Sequence, residues 1–300
     1  MTVELARGVG PSEIDIAYEQ FGDPEAPPVV LVMGLATQML GWPDGFCEML
    51  ADLGHHVIRF DNRDIGLSTH LRDAQPPDLQ AALSGDTSSA SYKLADMAGD
   101  TVGLLDALGL GSAHIVGVSM GGMIAQSVAI EYPERVRSLT SIMSTTGNPA
   151  VGQPTQEALA VLLAPPATSR VEAIDRSVAV YRTIGSPGFE FDEAGVRERA
   201  GLSYDRANDP VGTARQLVGI VASPDRTEPL GSVSVPTVVI HGDADPLVNI
   251  SGGRATAAAI PDAELVVIDG MGHDLPQALW PEITQRIAGV VKKAEALVSP

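Results

Sequence analysis

The stretch Ile115-Val116-Gly117-Val118-Ser119-Met120-Gly121-Gly122 constrains this chain more than any other. An apolar run stops at a serine that has glycines two residues before and two after it, and a helix-compatible run follows. The G-x-S-x-G spacing fits a strand, a sharp turn and a helix, with the serine hydroxyl pushed out at the tip. Such a turn holds the serine in a strained backbone conformation, and small neighbours let the chain pass. The same residues also fit a glycine-rich strand–helix turn with a structural serine, because the pattern is common by chance. Choosing between the two requires a base, an acid, oxyanion donors and a pocket from the rest of the chain.

Several other stretches share the strand-then-turn character. Ile14 to Tyr18 alternates apolar and polar residues, as a half-exposed edge strand does. Val29 to Met33 is a continuous, largely β-branched run, the mark of a buried strand, and ends at Gly34-Leu35. Phe46, Met49, Leu50 and Leu53 recur at helical spacing before Gly54, and Val57 to Phe60 reads as the next strand. Residues 71–91 lack apolar periodicity and read as loop. Leu94, Met97, Ala98, Val102, Leu105 and Leu108 form a helical stripe closed by Gly109. Strand, elbow and helix follow over 114–131, then a strand within 136–143. Residues 147–222 hold mostly helix-like segments. Strand character resumes at 235–240 and 263–268, and Ile283, Ile287, Val290 and Val291 mark a final helix.

Alternating buried strands and helices predict an α/β fold with a mostly parallel central sheet covered on both faces. In such sheets ligands bind beyond the carboxyl ends of the strands. Leu35, Ser119, Asp245 and His273 all follow the carboxyl end of a predicted strand, so separate stretches converge on one edge of the sheet.

Composition removes some classes of function. The chain has 300 residues, 44% of them hydrophobic, with 38 acidic and 19 basic side chains and a formal charge of −19. A field of that sign repels nucleic acids and anionic membranes, although its ordinary consequence is solubility. The single cysteine, Cys47, precludes an intramolecular disulfide and lies in an amphipathic segment, as a buried structural thiol would. Met1 to Gly10 has no apolar signal-peptide core, and no run is long enough to span a membrane. The expectation is a cytoplasmic protein. No G-x-G-x-x-G follows a strand and no cluster has metal-ligand spacing, so neither a nucleotide cofactor nor a metal is expected.

The chain resembles the α/β-hydrolase superfamily over nearly its whole length. The resemblance rests on Met33-Gly34-Leu35, the loop Asp61-Asn62-Arg63-Asp64-Ile65-Gly66-Leu67-Ser68, the elbow at Ser119, His241-Gly242-Asp243-Ala244-Asp245, and Gly272-His273. Serine, acid and histidine come in the superfamily's chain order. Val32-Met33-Gly34 and Gly41-Trp42-Pro43 are similar to bacterial carboxylesterases and to methyl esterases of anthracycline polyketides. The resemblance implies an α/β-hydrolase core over 1–146 and 223–300, with an inserted helical cap at 147–222.

It also implies roles. Ser119 is the nucleophile and His273 the general base, since His55, His56, His70 and His114 precede the serine and His241 suits packing or loop support. Asp245 is the acid by the Gly-x-x-Asp pattern, with Asp243 and Asp269 as competitors. The backbone N–H groups of Leu35 and Met120 form the oxyanion hole. Met33 departs from the common His-Gly form, a change that bears on how the loop is braced more than on the chemistry. Arg63 with Asp61 and Asp64 reads as a salt-bridged loop supporting the oxyanion segment. Met39, Trp42, Met123, Tyr181, Phe189, Phe191 and Tyr204 are candidate pocket liners that core packing would equally explain. The resulting expectation is a serine hydrolase of small to medium hydrophobic carboxylic esters, with no partner beyond that substrate and no defined oligomeric state. Perhydrolysis or halogenation, lactone opening and C–C hydrolysis could use the same residues. A small-molecule-binding module with vestigial activity is the non-enzymatic alternative.

Overall fold

Strand β3 (Pro28–Val32) explains the layering of the whole molecule. Its residues are buried and alternate between two cores. Val30 and Val32 face one cluster with Met97, Leu104, Leu105 and Ile124, and Val29 and Leu31 face another with Phe46, Leu50, Ile283 and Ile287. A strand read as continuously apolar is therefore a strand with helices on both faces, each buried aliphatic side chain contributing about 1.5–3 kcal/mol. The computed structural model describes residues 2–298.

Seven further strands complete the sheet: β1 (Glu4–Val9), β2 (Ile14–Phe21), β4 (His56–Phe60), β5 (Ala113–Val118), β6 (Val136–Ile142), β7 (Thr237–Gly242) and β8 (Glu264–Ile268). Their spatial order is β1-β2-β4-β3-β5-β6-β7-β8. The first two pairings are antiparallel and all others parallel. Helices α3 (Leu94–Ala107) and α4 (Met120–Glu131) supply one face, and α1 (Asp44–Asp52) and α10 (Trp280–Val298) the other. Helix α9 (Ser251–Ala259) lies between β7 and β8 in the chain.

Four helices sit between β6 and β7: α5 (Gln156–Leu162), α6 (Arg170–Ile184), α7 (Glu193–Arg206) and α8 (Pro210–Val221). Each begins at a side chain that accepts a backbone N–H of the first turn, from Thr155, Ser169, Asp192 and Asp209 respectively. Caps of this kind are worth about 1 kcal/mol each.

Three expectations need correction. Ile14 to Tyr18 is not an edge strand: β1 covers it, so Ile14, Ile16, Ala17 and Tyr18 are buried. The signal of β1 was too faint to read, since only Ala6 and Val9 of that strand turn inward. Residues 71–91 contain a short helix, α2 (Leu79–Leu83), started by the Asp78 carboxylate on the Ala81 N–H. The strand at the other edge, β8, is also less buried than its apolar run suggested, and Val267 stands 45% exposed.

His114 on β5 is fully buried, with Nδ1 2.8 Å from Ser138 Oγ and Nε2 3.1 Å from Glu295 Oε1. Burial pushes it from 6.5 down to about 4, against the attraction of Glu295. His55 and His56 are depressed by burial as well. In that window the unfolded chain binds more protons than the folded one, so stability falls as pH drops from about 6.5 towards 4. The urea midpoint should therefore decline between about pH 7 and pH 4.5, and His114→Gln should flatten the decline. An unchanged slope in the variant would remove His114 from the account.

Candidate active site

The serine hydroxyl is presented by a turn that only close packing can hold. Ser119 follows β5 and precedes α4 with φ 54 and ψ −122. For a residue with a β-carbon this costs about 1–3 kcal/mol. The turn is tied by Ser119 N–H to Ile142 O at 2.9 Å and by Ser144 Oγ donating to Ser119 O at 2.8 Å. A β-carbon at Gly117 would strike Gly121 O, and one at Gly121 would strike Val32 O. The two glycines of the motif thus let α4 press against β5 and β3.

Behind the serine lies a three-residue relay. Ser119 Oγ is 3.0 Å from His273 Nε2, and His273 Nδ1 is 2.7 Å from Asp245 Oδ2. With Nδ1–H donating to the carboxylate, Nε2 is left to accept the serine proton. Asp245 also accepts the Leu247 and Val248 N–H groups through Oδ1, each at 2.9 Å. Burial alone would raise its pKa. The charge of His273 and hydrogen bonds from His241, His273 and Val248 outweigh burial and hold the carboxyl well below the usual carboxylate range. It therefore stays ionised wherever the imidazole needs it. Asp243 and Asp269 lie apart from His273: Asp243 accepts the Gly270 N–H at 2.8 Å, and Asp269 is exposed. His241 donates from Nε2 to Val248 O at 2.7 Å and lies 3.5 Å from Asp245 Oδ2, supporting the Asp245 loop.

The segment after β3 runs beside the serine. A β-carbon on Gly34 would sit 3.2 Å from Ser119 Cβ. Leu35 follows, and Met120 opens α4, whose first N–H groups have no intrahelical acceptor and carry the positive end of the helix dipole. The loop expected to brace this segment does so: Asn62 Nδ2 donates to Met33 O at 2.9 Å, and Asp61 Oδ1 accepts the Met39 N–H at 2.7 Å. Arg63 forms a buried two-bond pair with Asp100, each bond 2.6 Å.

The candidate pocket liners separate into two groups. Trp42 is fully buried, its ring 5.3 Å from that of Phe46 within the α1 core, so it is a packing residue rather than a liner. Met39 is fully buried and Met123 nearly so, the latter in the α4 core. Tyr204 is half-buried on α7. Tyr181, Phe189 and Phe191 do converge, on a groove of about 410 Å³ that also touches Ala244, Pro246 and Asp274. Those three residues flank Asp245 and His273 in the chain, and Ser119 is not part of that lining. The aromatic groove therefore lies beside the Asp245 and His273 loops.

A serine, an imidazole and a carboxylate in hydrogen-bonded sequence at the carboxyl edge of a mostly parallel sheet define the arrangement of a serine hydrolase. Residues 27–276 match the family described as the alpha/beta hydrolase fold, and the chain belongs to it. It is 30% identical to the rhodomycin D methylesterase DauP of Streptomyces sp. (strain C5), over 96% of this chain and 98% of that protein. It is 29% identical to the rhodomycin D methylesterase DnrP of Streptomyces peucetius, over 94% and 96%. Among solved structures, a thermophilic esterase from Thermogutta terrifontis superposes with a TM-score of 0.72 at 25% identity, covering 98% of this chain and 99% of that one. No helix of the described residues is long and apolar enough to cross a membrane.

What the sequence did not disclose is how far the inserted helices reach into the site. Arg215 of α8 forms two bonds to Asp64, 2.9 and 2.8 Å, and Tyr92 Oη donates to the same carboxylate at 2.8 Å. Arg206 of α7 donates to Asp61 at 3.0 Å. The Ile184 carbonyl accepts the His273 N–H at 2.7 Å, and Ser186 Oγ accepts that of Gly272 at 2.8 Å. Arginines on amphipathic helices give no sequence sign of which carboxylate they will meet. Asp64, His70 and Asp209 approach one another closely enough to suggest a metal site. Their donor atoms are already engaged: Arg215 holds Asp64, and His70 bridges Asp209 Oδ2 and Gly66 O at 2.7 and 2.9 Å. The Asp64 and Arg215 side chains are 0% and 2% exposed, so removing one strands the other's charge. Arg215→Met should lower unfolding free energy by about 3–5 kcal/mol, read from urea denaturation, and adding Asp64→Asn should restore part of it.

Proposed function

We propose that the protein is a carboxylic ester hydrolase working through an acyl-enzyme on Ser119. The observation that carries this reading is the unbroken hydrogen-bonded line from Ser119 through His273 to Asp245. As Ser119 Oγ attacks the ester carbonyl, His273 Nε2 takes its proton and Asp245 steadies the imidazolium. Charge collects on the carbonyl oxygen, and the backbone N–H groups of Leu35 and Met120 are the donors assigned to it. Collapse of the tetrahedral species breaks the C–O bond, and the alcohol leaves with the proton from His273. Water then attacks the acyl-serine, giving its proton to His273, and the carboxylic acid departs as Ser119 is reprotonated.

Residues 1–146 and 223–300 serve as the catalytic core and 147–222 as a cap that selects the acyl and alcohol groups. Methyl esters are the substrates most in keeping with the two methylesterase relatives. The same relatives favour ester hydrolysis over perhydrolysis, lactone opening and C–C cleavage.

Ser119→Ala should lose about 10⁴- to 10⁶-fold in kcat on a methyl or p-nitrophenyl ester, with an unchanged circular dichroism spectrum. A fluorophosphonate should label the wild type and not this variant. Asp245→Asn should lose about 10⁴-fold, and Asp243→Asn far less. Turnover retained by Ser119→Ala would end the serine mechanism, and the reverse ranking of the aspartates would reassign the acid.

A further inference from the structure

We propose that Gln216, on the inserted helix α8, is a positioning residue that aims the Leu35 N–H at the oxyanion. The inference rests on the esterase reading above and assigns a role in catalysis to a residue outside the relay.

The peptides on either side of Leu35 are held at nearly every polar atom. Gly34 O accepts the Thr37 N–H at 3.4 Å, which orients the peptide that carries the Leu35 N–H. Leu35 O accepts Thr37 Oγ1 at 3.0 Å. The Ala36 N–H, on that same peptide, donates to Gln216 Oε1 at 3.0 Å. Gln216 Nε2 in turn donates to Arg63 O at 2.9 Å, and Asn62 of that loop holds Met33 O. Gln216 is fully buried.

Only one side-chain type of this length meets both demands. The Ala36 N–H donates and Arg63 O accepts, and a neutral amide serves the two at once. The acceptor matters because Ala36 sits at φ 59, in the left-handed region that a residue with a β-carbon leaves readily when released. If Gln216 let go, Ala36 would relax, the Leu35–Ala36 peptide would turn, and the Thr37 N–H that holds Gly34 O, and with it the peptide carrying the Leu35 N–H, would shift. The lost interaction is one made with the developing oxyanion, not with the ground-state ester. Its loss should therefore be felt in kcat.

The loop after β3 is braced here from two sides, by Asn62 of the core and by Gln216 of the insertion. The inserted helix is thereby mechanically continuous with one half of the oxyanion hole.

The test compares three variants in an enzyme whose turnover has first been shown to require Ser119, so that failure of the esterase reading is seen separately. Gln216→Met should lower kcat by about 10- to 100-fold with KM within about twofold. Affinity for a trifluoromethyl ketone, which places an oxyanion in the site once Ser119 adds to it, should fall by a similar factor. Thr37→Val removes the core-side bond to Leu35 O without touching the insertion, and should show the same kcat-selective loss at roughly 3- to 10-fold. If Gln216→Met does not fold, Gln216→Asn, one methylene too short to hold both Ala36 N–H and Arg63 O, decides the matter by the same kcat-selective loss or its absence. His70→Gln loosens the start of α8 through Asp209 but leaves the Leu35 peptide alone, and should keep kcat within about threefold. Equal losses in His70→Gln and Gln216→Met would reduce the effect to general loosening of the insertion and overturn the proposal. So would a loss confined to KM, or unchanged affinity for the trifluoromethyl ketone.

Discussion

Close backbone packing at the elbow is the constraint from which the rest of the site follows. Helix α4 can start where it does only because Gly117 and Gly121 leave no side chain between it and strands β5 and β3. That approach forces Ser119 into its left-handed conformation and brings the Gly34 segment against the serine. Ser119 on its turn, the helix N-terminus and the adjoining Gly34–Leu35 segment are thus products of one packing event. Because β5 lies in the middle of the sheet, hydrogen-bonded to β3 and β6, the turn has rigid neighbours on both sides to hold its strain.

The inserted helices are part of this machinery. Residues 184–188 are hydrogen-bonded to the His273 loop, and α8 reaches the loop after β3 from another direction through Gln216. Arg206 and Arg215 secure the same insertion to Asp61 and Asp64. Buried ion pairs of this kind add little net stability, since desolvation offsets much of their attraction, but they penalise any other docking of the helices severely. The Asp61–Ser68 loop, which the sequence suggested as a brace for the oxyanion segment, is therefore also where the insertion is anchored.

Much of this was readable because local rules and tertiary demands agree. Strands with residues buried on both faces gave continuous apolar runs, as at Val29 to Met33, and residues 147–222, read as mostly helix-like, hold α5 to α8. The failures share a cause. Strand β1 turns only Ala6 and Val9 inward, and β8 is an edge with Val267 outside, so in neither strand does the hydrophobic pattern match the burial. Trp42 had the chemistry of a pocket wall, but its partner Phe46 draws it into the α1 core.

The sequence by itself determined the alternating α/β order, the serine on its glycine-flanked turn, and a histidine and an aspartate placed after later strands. Those are properties of spacing along the chain, and spacing is what a sequence records. Tertiary structure alone decided that Asp243 braces Gly270 while Asp245 meets His273. It decided too that Arg215, Arg206 and Gln216 turn towards the core loops. Such choices depend on which of several equivalent polar atoms comes within about 3 Å of another, a distance set by the packing of elements far apart in the chain.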